Sequence, residues 1–127
     1  MRKSLTVTIT DEGRDKDKQF ILTEMPALQA HYWAVKAILA LGKNGVDLPE
    51  GFEESGMAGI AKLGIELVFK LPYDIARELL DDLLTCVKCI PDPQKPNITR
   101  NLIADDIEEV KTYFNLEIEV FKLHVDF

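Results

Sequence analysis

The chain is poor in the residues from which active sites are built. Its 127 residues hold two cysteines, two histidines and one tryptophan, and the only serines are Ser4 and Ser55. Ser4 falls in a strand pattern and Ser55 in a loop, and no nucleophile-elbow pattern surrounds either. No apolar run reaches the roughly 18 residues that cross a bilayer. The opening MRKSLTVTITDEGRDKDK carries two early basic residues but then alternates, so no signal peptide is expected. No Lys/Arg cluster stands out, and the net charge of −7 argues against binding to phosphate backbones or anionic membranes. The expected setting is the cytoplasm, where two cysteines are thiols and not a disulfide framework.

Those two, Cys86 and Cys89, form a lone CVKC. Structural zinc needs four ligands, and only His31 and His124 could add nitrogen donors. A thioredoxin-type pair sits at a helix start, whereas this one falls near an expected helix end. The acidic pairs Glu53-Glu54, Asp81-Asp82, Asp105-Asp106 and Glu108-Glu109 are adjacent residues, which diverge on a helix and make poor dyads or metal cradles. No catalytic set, metal site or cofactor is therefore expected.

What is present is patterned apolar sequence. Hydrophobic residues make up 46% of the chain and charged residues 29%, which fits one globular core in one domain over residues 1–127. SLTVTIT alternates with Leu5, Val7 and Ile9 on one side, and QFILT returns after a polar turn containing Gly13. Together they read as a β-hairpin at 4–23. TEMPALQAHYWAVKAILAL follows, with Leu28, Tyr32, Val35 and Leu39 in one row and Ala30, Ala34, Ile38 and Leu41 in another. This spacing predicts a helix at 24–41, N-capped by Thr23, with Pro26 in its first turn and Gly42 as its stop. Its wide apolar face must be covered by the rest of the domain or by another chain.

Residues 42–56 read as a long, glycine-rich acidic loop, with Leu48 and Phe52 able to tack it down. A second helix is expected at 57–71, where Gly59 and Gly64 suit close approach of another helix. Pro72 starts a third at 73–90, ended by the three prolines of 91–97. The last helix, 105–125, begins with capping-box spacing at Asp105 and Glu108. It is apolar on two sides from residue 113 onward. The expected fold is thus mainly α (α+β), an N-terminal hairpin followed by about four helices. The expected core is Trp33, Val35, Ile38, Leu39, Leu79, Leu83, Ile107, Val110 and Phe114. The two-sided C-terminal helix makes Leu116, Val120, Phe121, Leu123 and Phe127 the first candidates for an oligomer or partner interface, with Met25 and Tyr32 beside them.

In this order of segments the chain resembles the tail assembly chaperones of long-tailed (siphovirus-type) bacteriophages and prophages, in their short form. The resemblance rests on the N-terminal strands, TEMPALQAHYWAVKAILAL at 23–41, GMAGIA at 56–61, CVKC with its proline-rich break, and DDIEEVKTYFNLEIEVFKLHVDF at 105–127. It implies a non-enzymatic protein of the infected host's cytoplasm that binds the long helical tape measure protein and keeps it soluble. It also implies recruitment of tail tube protein, self-association in a spiral or head-to-tail array, and absence from the finished virion. Many such proteins have a longer form made by a −1 ribosomal frameshift. The competing readings are a minor virion structural protein, such as a tail completion or connector subunit, and a thiol or metal protein using Cys86 and Cys89.

Overall fold

Alternation and turn chemistry build the first unit. In the computed structural model, which describes residues 1–46 and 64–125, strands β1 (Ser4–Thr8) and β2 (Gln19–Thr23) pair antiparallel with Val7 opposite Phe20 and Leu5 opposite Leu22. The hairpin stays in register through Ile9, whose N–H donates to Lys18 O at 2.9 Å and whose carbonyl accepts from Asp17 N–H at 2.8 Å. Gly13 has φ +147, a backbone conformation that favours glycine, and a Cβ there would lie 2.6 Å from Glu109 Oε1 and displace that carboxylate.

The sheet does not stop at the hairpin. β3 (Val87–Ile90) pairs antiparallel with β2, and the short β4 (Arg100–Asn101) pairs with β3, giving the order β1-β2-β3-β4. The fold is therefore α+β, with strands from both halves of the chain. The helix expected at 73–90 is corrected here. Helix α2 (Tyr73–Leu84) ends at a Thr85 whose hydroxyl donates to Asp82 O at 2.6 Å, and CVKC belongs to the turn and strand that follow. Val87 and Ile90 fit a helical stripe, but the Val87–Lys88–Cys89 alternation also fits a strand. The free edge of β2 decides between them, because a lone hairpin is marginal.

α1 (Ala27–Lys43) starts after Pro26, not after a Thr23 cap, because Thr23 is spent in β2. Gly42 lies inside it. The chain turns at Asn44, whose side chain donates to Ala40 O at 2.8 Å, and at Gly45 with φ +68. Residues 64–68 are helical and lead through Leu71 to Pro72, which precedes α2 as expected. The other parts of the expected 42–56 loop and 57–71 helix, with Leu48, Phe52 and Gly59, lie outside the described residues.

The C-terminal helix α3 (Val110–Val125) begins later than Asp105, after a 3₁₀ turn at Ala104–Asp106. No Asp105/Glu108 box caps it. Asp15 from the hairpin turn does so, accepting the N–H groups of Glu108 (2.9 Å) and Glu109 (3.0 Å) and the Thr112 hydroxyl (2.7 Å). Arg14 adds its own N–H to Glu109 Oε1 at 2.9 Å and its guanidinium to Glu108 O at 2.7 Å. The polar DEGRDKDK turn is thus a clamp on the start of the last helix.

α3 packs against both the sheet and α2. Its Leu116 and Val120 join Phe20, Leu22, Val87, Leu83 and Ile107 in the main core. A second cluster of Ala37, Val68, Leu71, Ala76 and Leu79 holds α1 and α2 together, and Trp33 and Leu80 touch both. Gly64 admits α3 closely, since a Cβ there would fall 2.5 Å from the Phe121 ring. This is the helix approach expected of that glycine.

Candidate partner interface

The burial of α1 reverses the expected assignment of core and interface. Among the residues of α1 only Ala37 is buried, and Trp33, Ala30, Ala40, Leu41 and Lys36 are half-buried. Leu28 is 62% exposed, Tyr32 62%, Ile38 66% and Leu39 67%, and Val35 is also exposed. Val35, Ile38 and Leu39, expected in the core, are therefore at the surface. On a helical projection Leu28, Tyr32, Val35 and Leu39 form one ridge opposite Ala37 and Trp33. α1 has apolar residues on both its core and its solvent side, a pattern normally found only in buried helices. It contains no acidic residue.

The attachments of α1 explain why so much of it remains bare. The Trp33 indole N–H donates to Leu79 O at 3.0 Å, and its ring meets Phe121 edge-on at 5.8 Å. Lys36 pairs with Glu78 at 2.5 Å and Asp82 at 3.8 Å on α2. One tryptophan, small alanines and one lysine hold the helix by a narrow strip, which leaves the larger aliphatic side chains outward.

α3 shows the converse. Leu116 and Val120, expected at an interface, are fully buried, as is most of Met25. Phe121 and Leu123 are half-buried against the core. The two-sided apolar character of α3 is used internally, because the helix packs against both the sheet and α2. Phe127 lies outside the described residues. Val110 (69% exposed) and Phe114 (44%) are also corrections to the expected core. Val110 is in the first, solvent-facing turn, and Phe114 leans edge-on against Phe69 at 5.6 Å. Leu79, Leu83 and Ile107 are buried, Trp33 half-buried in both core clusters, and Tyr32 exposed.

Beside α1 lies a cavity of about 690 Å³, walled by Met25, Ala30, Trp33, Leu83 and Phe121, with Arg2, Glu24 and His124 at its polar edge. His124 accepts the Met25 N–H at Nε2 (2.9 Å) and donates from Nδ1 to Val120 O (2.8 Å), which makes it the Nδ1–H tautomer and ties α3 to the entry of α1. His31 is exposed beside Tyr32.

Cys86 and Cys89 are both buried, and burial pushes each thiol up from its ordinary value; the nearby Asp106 charge adds to this at Cys89. Among the described residues no group of three or more His, Cys, Asp or Glu is placed to hold a metal ion. No described helix is long and apolar enough to cross a membrane. The residues that sequence reasoning missed are Val35, Ile38 and Leu39 as surface, and Leu28, which was given no role. The signal available was the presence of apolar rows on more than one side of α1 and its lack of acidic residues. Comparison with family models, with curated proteins and with solved structures finds no match for the chain.

Proposed function

We propose that the chain is a non-enzymatic tail assembly chaperone that covers apolar helical stripes of a phage tape measure protein in the host cytoplasm. It releases that protein, with recruited tail tube subunits, into the growing tail. The observation that carries this reading is the bare apolar ridge of α1, with Leu28, Tyr32 and Leu39 each more than three-fifths exposed. The resemblance of the segment order to tail assembly chaperones supplies the partner. An apolar ridge of four or five large side chains is a costly surface to leave in water, at roughly 1.5–3 kcal/mol for each side chain fully covered. It suits a partner that is itself helical, laid along α1 ridge to groove.

The test is co-expression with the tape measure protein encoded alongside it. The native chain is expected to bring that protein into the soluble fraction, and Leu39→Asp to fail while melting within a few degrees of the native chain. A tape measure protein no more soluble with the chain than without it refutes the reading. Recovery of the chain in purified virions would instead favour a structural subunit.

A further inference from the structure

The cavity beside α1 has a polarity that the apolar ridge lacks. Its volume of about 690 Å³ falls within the range of about 300–1,000 Å³ usual for built sites, and its walls are mainly apolar. Three polar side chains reach its edge. His124 has both ring nitrogens engaged, with Met25 N–H and Val120 O. Glu24 is occupied by Lys3, through the backbone N–H at 2.8 Å and Nζ at 3.9 Å. Arg2 has no hydrogen bond or ion pair among the described residues. Among the described side chains that line the cavity, the cation left to a ligand is therefore a guanidinium, a planar donor suited to a carboxylate. The rim also meets an exposed apolar side chain of α1 beside the ridge, because Ala34 lies one turn from Ile38.

We propose that this cavity is a socket for one bulky apolar side chain of the partner helix, and that Arg2 takes a carboxylate about one turn away on that helix. The inference rests on the partner-binding reading above. The ridge supplies area without choosing a register along a long helical partner. The socket with its guanidinium supplies the choice, selecting an aromatic or large aliphatic residue followed or preceded by Asp or Glu at three or four positions.

Trp33 is the only tryptophan and lines the cavity, so its emission reports occupancy by energy transfer to a bound naphthyl dye. The probes are anionic 1-anilinonaphthalene-8-sulfonate and its neutral analogue N-phenyl-1-naphthylamine. Both are expected to quench Trp33 in the native chain. Ala34→Phe, at an exposed position on the rim, should weaken both about tenfold, about 1.4 kcal/mol. Arg2→Glu should weaken the sulfonate about tenfold and leave the neutral dye within about twofold. Leu39→Asp on the ridge should leave both unchanged. Unaltered dye binding in Ala34→Phe, or equal effects of Arg2→Glu on the two dyes, overturns the socket. Co-expression then tests the occupant. If Ala34→Phe and Arg2→Glu solubilise the tape measure protein as well as the native chain does, the socket is not where that partner anchors and the proposal falls. If the native chain itself fails to solubilise it, the chaperone reading falls with the proposed occupant, while the dye pattern still decides whether the site exists.

Discussion

Asp15 is 2% exposed and yet ionised. Burial alone would raise its pKa, but Lys18, the Thr112 hydroxyl and the N–H groups of Glu108 and Glu109 outweigh it and hold the carboxyl at about 2. The folded pKa lies below the unfolded one, so its contribution is fully present above about pH 4 and is lost as pH falls toward 2. Across that window it amounts to about 2 kcal/mol. Asp15→Ala should cost about 2–4 kcal/mol at neutral pH by orphaning a helix start, and urea melts should show a shallower acid limb below pH 4. Glu117 is the opposite case. It is 5% exposed on α3, with no hydrogen bond among the described residues. Burial, aided by the Asp81 charge, raises its pKa to about 7. Here the folded pKa lies above the unfolded one, so stability falls as pH rises from about 4.5 to 7. Glu117→Gln should therefore change little at pH 5 and stabilise by roughly 2–3 kcal/mol at pH 8, measured by denaturant unfolding at both pH values. An equal gain at both would mean that Glu117 does not titrate in this range.

Among the elements, the packing of the 64–68 segment on α3 turns on a single missing atom. Gly64→Ala would place a methyl 2.5 Å from the Phe121 ring, and should cost about 1–3 kcal/mol in spite of alanine's better helix propensity. Phe121→Leu in the same chain should recover part of that loss; a strictly additive double mutant would show that the two do not meet. That a helix comes close at Gly64 was readable beforehand, because a glycine in an apolar helical pattern has few other uses, but Phe121 as its neighbour was not. The hairpin was readable for a similar reason: Leu5 and Val7 alternate with polar residues, and Phe20 and Leu22 return on one face. β3 was not, since Val87 and Ile90 fit the helix period while Val87 and Cys89 fit the strand period, and the sheet edge that decides is far away in sequence. Nor was the Asp15 cap, a long-range partner standing in for the local Asp105/Glu108 pair. The bare ridge of α1 was legible only in part. Periodicity identifies apolar rows, but which row a helix buries depends on its neighbours. Here the small Ala37 and the indole of Trp33 go inward, and the conventional core residues Ile38 and Leu39 go out.

The molecule as a whole has two unlike sides. The outward face of the sheet presents Thr6, Thr8, Lys88 and Asn101 to solvent, while α1 presents a nearly uncharged ridge. A net charge of −7 keeps such a body dispersed, yet none of the acidic residues lies on α1. The ridge is thus the place where association meets least like-charge repulsion. The pairing of β2 with β3 has a further consequence, for the order of events during synthesis. Leu22 finds Val87, and Asp15 finds Glu108, only after α1 and α2 have been made. The first hairpin can form early but cannot be held, and loop closure over that separation is slow relative to local helix growth. A ribosome that has released residues 1–84 presents an apolar α1 and an unclamped hairpin. Folding of the N-terminal half is therefore completed by the last third of the chain.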